Sequence, residues 1–473
     1  FSDSLLIDLL NTNQNSSFNA SSIRSKLKLL KKMYLQNGKI NVAIMDEINI
    51  SNTDIDVRIN IFEGETYYVN KINVSGLKSV KKKNVLRELI FQESSIYNID
   101  KIDKSRQRIF DSGLFSSVEI INNLLDKDNG LVDIEIKVRE YKSSSIEASF
   151  GFKELSTFQE NLSTTGLDAN ARWLLGNIFS TTSNIEFTGS IATSININYY
   201  KTNPLIEKNL KIIYSSPWTI YFRIPTRIKY FHTEETENYI LKRDGLTYSL
   251  IFNKGTKTRY EFNSTLELIR SSDSTYTFNK TIEPSRWMNI KYYLNNIKNP
   301  LNPLGGYYIS IISTLYGTIL GGERDLIKFE SEIRKYYNIF SNNTLAIRTI
   351  FGYIRNLDVN NNLPIGYKFQ LGGQTSLRGW AGSKDFDIPY GSIFDLINLE
   401  YRFPIKNKFG GEIFIDAGRL YESLDEIFSL KHSWNYGFGV VYSSGLGPIR
   451  IDAGFPFGDI SKPQFHASLL YMF

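Results

Sequence analysis

"FDLINLEYRF", residues 394–403, decides how the larger, C-terminal part of the chain is read. Its residues alternate strictly. Ile397, Leu399, Tyr401 and Phe403 share one face of a strand, and Asn398, Glu400 and Arg402 share the other. Two later stretches repeat the pattern. In "GEIFIDAG" (411–418), Ile413, Ile415 and Ala417 oppose Glu412, Phe414 and Asp416. In "GPIRIDAG" (447–454), Ile449, Ile451 and Ala453 oppose Arg450, Asp452 and Gly454. Ionisable groups thus recur on one face of strands whose other face is wholly apolar. A soluble barrel keeps its charges outside and a dry core inside, whereas a membrane barrel reverses the two. Both alternate, so periodicity alone does not choose.

Length and composition favour the membrane. From about residue 144 helical periodicity disappears, and strand and turn run to residue 473. At about 20 residues per strand and connection, that length holds roughly 16 strands, each needing about 9 to 11 residues to cross. The chain carries 29 Tyr and 31 Phe but only 12 Pro, an aromatic excess suited to surfaces that are apolar in body and wet at one end. No stretch of 18 apolar residues exists to form a transmembrane helix. In the last stretch, "FHASLLYMF" (465–473), Phe465, Ala467, Leu469, Tyr471 and Phe473 fall on one face. A strand ending so is expected at the membrane edge of a barrel. The expected fold is therefore a transmembrane antiparallel β-barrel over residues 143–473.

Composition also removes function classes. A net charge of +6 with 22% charged residues is too weak to argue for nucleic acid, and Lys81–Lys83 reads as a solvated helix start. No cysteine is present, which removes disulfides, thiolate metal sites and cysteine nucleophiles. His232, His432 and His466 are far apart and lack ligand spacing. No Gly-X-Ser-X-Gly elbow occurs. No catalytic residue, metal or cofactor is expected.

Residues 1 to about 142 mix helical and strand periods. "NASSIRSKLKLLKKMYLQNG" (19–38) places Ile23, Leu27, Leu30, Met33 and Tyr34 on one helical face, with Asn19 or Ser21 as cap. Alternating runs at 39–50 and 53–64 read as a hairpin. A strand at 67–76, helices at 79–90 and 99–115, and a hairpin at 116–125 and 131–140 around Asp128-Asn129-Gly130 follow. This strand-helix-helix-strand-strand unit is present nearly twice, giving expected domains at 1–65 and 66–142. The first copy lacks its leading strand, so the chain is expected to begin inside a domain, with further copies before it. No signal peptide opens it, and "FSDSLLIDLL" (1–10) reads as helix from its first residues.

These residues resemble the BamA/TamA outer-membrane assembly and transport superfamily. "INVSGLKSVKKKNVLREL" (72–89) and "RIFDSGLFSSVEI" (108–120) look like its polypeptide-transport-associated (POTRA) repeats. "NPLNPLGGYYISI" (299–311), "LGGQTSLRGW" (371–380), "IFIDAGRLY" (413–421) and "GPIRIDAGFPFG" (447–458) look like barrel signatures in the family's order. The terminal strand resembles the targeting signal of bacterial outer-membrane barrels. Leu377 and Trp380 stand where the family often has Val and Phe or Tyr.

The resemblance implies a bacterial outer-membrane protein with POTRA domains in the periplasm. Its role would be to fold and insert β-barrel clients through a seam between the first and last strands, near 145–153 and 465–473. A two-partner secretion pore or a TamA-like autotransporter pore is the alternative. Implied partners are unfolded outer-membrane β-barrel clients, accessory assembly subunits at the POTRA domains, and outer-membrane lipid; no nucleic acid is implied. The loop motif Gly372, Gly373, Ser376, Leu377 and Trp380 is placed by resemblance inside the lumen. Arg378, followed by Gly379, is expected to pin it to an interior acid, first Asp416, then Glu400 or Asp452, because a desolvated guanidinium needs a carboxylate partner.

Overall fold

The computed structural model describes the chain apart from residues 2–5, 7–18, 52–53, 127–129, 142–143, 157–162, 179–180, 195–204, 220–221, 237–239, 273–281, 341–342, 359–361, 364, 383–384, 428–431, 445–446, 460 and 470–471. The expected helix at 1–10, all but residues 1 and 6, and the Asp128-Asn129 turn lie outside the described residues. Two compact units emerge: Phe1–Ser145 with Leu175–Asn184, and Ile146–Leu174 with Ile185–Phe473.

In the first unit, α1 (Ala20–Gln36) starts at Asn19, whose side-chain oxygen accepts from the Ser22 N–H at 3.0 Å. Its apolar stripe buries Ile23, Leu30 and Tyr34. β1 (Ala43–Ser51) and β2 (Asp54–Phe62) form an antiparallel hairpin. In the second repeat β3 (Tyr68–Ser75) runs parallel to β5 (Leu131–Glu140), which pairs antiparallel with β4 (Phe115–Asp126). The order is β3-β5-β4. Between β3 and β4 come α2 (Lys82–Leu86) and α3 (Ile99–Asp111). Val132, Ile134, Ile136 and Val138 alternate into a core shared with Ile102 and Ile109 of α3.

The expected helix at 79–90 shrinks to the five residues of α2. Its start is held elsewhere: the Glu140 carboxylate accepts from the backbone N–H groups of Lys78 (2.7 Å), Ser79 (3.0 Å) and Val80 (2.9 Å) and from Ser79 Oγ (2.7 Å). Its end tightens into i→i+3 bonds, Glu88 N to Val85 O and Leu89 N to Leu86 O, and Ile90 N turns to Ser105 Oγ at 3.0 Å. Tertiary partners for those amides outweigh the helical ladder.

Among the described residues the second unit is one antiparallel sheet of sixteen strands, β6 (Ser144–Ser156) to β21 (Gln464–Leu469), each beside its sequence neighbour. It is the transmembrane barrel. Among the described residues β6 and β21, the two ends of the order, have one hydrogen-bonded neighbour each.

The strands that matter for the lumen are β15 (Leu326–Phe340), β16 (Asn343–Asn356), β17 (Ile393–Lys406), β18 (Phe409–Tyr421), β19 (Ser433–Ser444) and β20 (Gly447–Pro456). Their polarity is inside out. Ile397, Leu399, Ile413, Ile415, Ile449 and Ile451 are exposed, while Asn398, Glu400, Arg402, Glu412, Asp416, Arg450 and Asp452 are buried. A water-facing surface would not carry such a continuous apolar band, and a dry core would not hold such charges; lipid outside and a polar lumen inside satisfy both. The described residues 365–382 of the connection between β16 and β17 turn into this lumen. Among them Phe369, Leu371 and Leu377 pack with Leu326, Ile354, Phe394, Leu396 and Leu420 of the wall.

Candidate functional site in the barrel lumen

The loop's shape comes first. Gly372 (φ +105°) and Gly373 (φ +83°) adopt backbone conformations that residues with a Cβ disfavour, and a Cβ on Gly372 would lie 2.8 Å from the Gly382 backbone. Ser376 Oγ closes the turn, accepting from Gly372 N and donating to Gly372 O, both at 2.7 Å. Gly373 N donates to Trp380 O at 2.8 Å, and the Trp380 ring stacks at a tilt on Phe386, 5.0 Å between centroids. Leu377 is fully buried and anchors the turn in the apolar cluster. The next residue therefore points into the charged layer.

That residue is Arg378, 0% exposed. Its Nε donates to Asp416 Oδ2 at 2.9 Å and its Nη2 to Asp416 Oδ1 at 2.7 Å, a bidentate pair. Nη1 donates to Glu400 Oε1 at 2.6 Å and approaches Glu412 Oε1 at 3.4 Å. The guanidinium also lies 3.4 Å from the centroid of the Phe414 ring. Register explains the convergence: Asn398, Asp416 and Asn435 are directly opposite across β17, β18 and β19, and Glu400, Phe414 and Gly437 form the next row. Asn398 Nδ2 and Asn435 Nδ2 each donate to Asp416 at 2.8 Å, so both carboxylate oxygens are fully engaged. Gly437 leaves room for Phe414, whose ring tip would stand 2.2 Å from a Cβ there.

The network extends beyond the pair. Arg402 Nε and Nη2 donate to Glu400 Oε2 at 2.9 and 2.5 Å. Arg450 Nε lies 2.8 Å from Asp452 Oδ2. Three arginines and four carboxylates thus share one buried layer, a stable arrangement only where each charge meets its opposite. The loop backbone meets the last strands too. His466 Nε2 hydrogen-bonds the Arg378 carbonyl at 2.8 Å, and a Cβ on Gly454 would stand 2.4 Å from that same oxygen. Gly379 is equally confined, with Asn435 Cβ 2.5 Å from where its own Cβ would be.

Arg378, Gly379, Asp416 and Glu400 are therefore brought together. Asp452 is not joined to Arg378; it faces Arg450 instead, because β20 holds both side chains on the same face two residues apart. Glu412, Arg402, Arg450, Asn398, Asn435, Phe414 and His466 belong to the site and were not singled out from sequence. Alternation puts the strand residues among them on the wet face but says nothing of their height along it.

The terminal strand needs a correction. β21 is described as far as Leu469, and Tyr471 lies outside the described residues. Phe465 is outward and exposed, but Phe473, expected on the same face, is buried in the lumen with Tyr336 and Ala346. Its carbonyl accepts from Arg402 Nη2 at 3.1 Å, and its ring lies 5.3 Å from the Arg402 guanidinium. Alternation fixes a face only while the residue is in the strand; beyond it, the lumen arginines supply the partners.

The chain has known counterparts. A family model described as the Omp85 superfamily domain matches residues 161–468. The chain belongs to the Omp85 superfamily. A second model, the surface antigen variable number repeat of POTRA domains, matches residues 1–64 and 67–141 of this Omp85 chain. Among curated relatives, the outer membrane protein assembly factor BamA of Neorickettsia risticii is 22% identical, the match covering 92% of this chain and 59% of the relative. BamA of Nitratidesulfovibrio vulgaris is 23% identical, with 93% and 55% covered. The chain thus spans less than two thirds of the length of these relatives. Among solved structures, BamA from Haemophilus ducreyi lacking POTRA domains 1–3 superposes with a TM-score of 0.73 at 16% identity, covering 98% of this chain and 96% of that one. CdiB from Acinetobacter baumannii superposes at 0.54 and 12% identity, covering 99% and 86%. The Omp85 barrel lies in the outer membrane, with its POTRA repeats on the periplasmic side.

Proposed function

We propose that this chain carries the barrel and two POTRA repeats of an outer-membrane protein assembly factor, which folds and inserts β-barrel clients. The observation that carries the reading is the pair of strands at the two ends of the sheet. Among the described residues β6 has thirteen and β21 six, so a seam between these spans would leave β6 N–H and C=O groups unmatched. Unmatched main-chain groups can template an incoming strand whatever its side chains. Ile146 and Phe150 of β6 are 77% and 76% exposed. The work is recognition and main-chain pairing, with no bond-making chemistry.

Client segments are also taken up at the repeats, where among the described residues β4 lies at one edge in the order β3-β5-β4. Accessory subunits dock on the same repeats, and lipid surrounds the barrel wall. Arg378 serves as the latch that holds the loop at 371–380 in the lumen and keeps β17 to β21 in one arrangement.

Cysteine pairs placed between residues 146–150 and 465–467 test the seam. Oxidation should stop client insertion and reduction restore it; insertion that continues with the seam locked overturns the proposal. Depletion of the protein should lower the whole census of outer-membrane barrels. The second reading, a secretion pore, has the superposition on CdiB in its favour. It would leave that census unchanged and abolish export of one partner protein.

A further inference from the structure

The outward wall of β9 (Ile206–Ser216), β10 (Thr226–Thr236), β11 (Ile240–Lys254) and β12 (Thr258–Ser271) carries three rows in strict register. Ile212, Tyr230, Leu246 and Leu266 form the first, and Leu210, His232, Asp244 and Leu268 the second. Lys208, Glu234, Lys242 and Arg270 form the third. These positions face outward: Leu210, Tyr230, Leu246, Leu266 and Leu268 are exposed, while the interleaved Phe231, Thr247, Thr265 and Glu267 are buried toward the lumen. β6 enters from the periplasmic repeats and direction alternates at every strand, so the third row lies at the outer-leaflet end of the wall.

Charge in this patch is unbalanced. Glu234 is divided between Lys208 and Lys242, each 2.9 Å away, and Asp244 between His232 at 2.7 Å and Arg270 at 2.6 Å. Among the described residues of the patch, three permanent cations therefore share two acids. Lys242 is also directly opposite Arg270 in the register, a like-charge pairing that a sheet disfavours and that Glu234 and Asp244 offset only in part. Immediately below, Leu210 and Leu268 flank the His232–Asp244 pair, and the row after that, Ile212, Tyr230, Leu246 and Leu266, is aliphatic and aromatic at acyl-chain depth. An amphiphile with an anionic head over an apolar tail complements both levels at once.

We propose that this patch binds the phosphate of an outer-leaflet lipid headgroup, with Lys208, Lys242 and Arg270 holding the phosphate and Leu210, Leu246, Leu266 and Leu268 the upper acyl chain. Lysine and arginine stems lie along the apolar wall and raise their charged ends to headgroup level. The inference rests on the membrane placement of the barrel and not on the assembly role. A barrel that only secretes would bind the same lipid.

The test is native mass spectrometry of the full chain from nanodiscs of phosphatidylcholine with phosphatidylglycerol, counting retained phosphatidylglycerol. Folding is checked by heat-modifiable gel mobility. The wild type, the charge-preserving K242R/R270K variant, and K254Q/K335Q, which removes two cations from periplasmic strand ends, should retain the lipid. K242Q/R270Q should lose it. Equal retention by K242Q/R270Q overturns the proposal. So does inorganic phosphate, added to phosphatidylcholine nanodiscs, raising Tm as much as phosphatidylglycerol does, since the site would then select a free anion.

Discussion

The Arg378 guanidinium and the Asp416 carboxylate meet through two parallel hydrogen bonds of 2.9 and 2.7 Å, both side chains fully buried. One belongs to a loop and the other to the barrel wall, so this pair fixes where the loop sits. Bidentate geometry makes the two partners specific for each other in a way a point charge would not be.

Breaking one side of the pair strands the other in the lumen. Arg378→Ala or Asp416→Asn should each destabilise the folded barrel by about 3–5 kcal/mol. Arg378→Lys should recover only part, since an ammonium cannot reproduce the planar fork. Urea unfolding in detergent micelles measures each, and a double variant losing much less than the sum would establish direct coupling.

Close backbone approach at Gly454 gives an independent handle on the same loop. Gly454→Ala drives a Cβ to 2.4 Å from the Arg378 carbonyl and should cost about 1–3 kcal/mol by overpacking. Gly189→Ala, which meets nothing within 4 Å, is the matched control and should change the unfolding midpoint little.

His466 ties β21 to the loop through the Arg378 carbonyl at 2.8 Å. His466→Phe leaves that carbonyl without this partner and should cost about 1–3 kcal/mol. It should also raise amide hydrogen exchange in β21 more than in β18. A variant that exchanges uniformly across both strands would assign His466 a packing role only.

Acid should loosen the second repeat through Glu140. Burial pushes this carboxyl up, but the Lys78, Ser79 and Val80 amides and the Ser79 hydroxyl outweigh it and bring the pKa down to about 2. Against an ordinary value of about 4.3, a depressed folded-state pKa contributes stability that is complete above that value. The contribution fades as pH falls from there toward 2. Hydrogen exchange at Lys78–Val80, corrected for intrinsic rates, should therefore rise across that window in the wild type. In Glu140→Gln it should start high and stay flat.

Several features were legible in residue order alone. Alternation over 394–403, 411–418 and 447–454 named a wet and a dry face, and burial follows that division at Ile397, Leu399, Ile413, Ile415, Ile449 and Ile451, whereas Ala417 and Ala453, expected on the dry face, are buried. Strand number followed from length, because a strand needs a fixed rise to cross the membrane. The glycines of 371–380 marked a turn, since a positive φ suits a residue without a Cβ. Less was legible where partners come from afar. Helix α2 is shorter than its periodicity because Glu140, sixty residues away, takes the amides that would begin it.

Which carboxylate meets Arg378 was decided by the tertiary structure. Period two sorts side chains by face, and Glu400, Glu412, Asp416 and Asp452 all share the lumen face. Choosing among them needs the register of β17 on β18 and β19 and the depth to which the loop descends. The same holds for Phe473, whose turn into the lumen is set by Arg402 and Arg348 on other strands. Local sequence determines the strands, their faces and the turns, since those depend on neighbours along the chain. Pairings between buried charges depend on where distant strands bring them, and only the folded barrel fixes that.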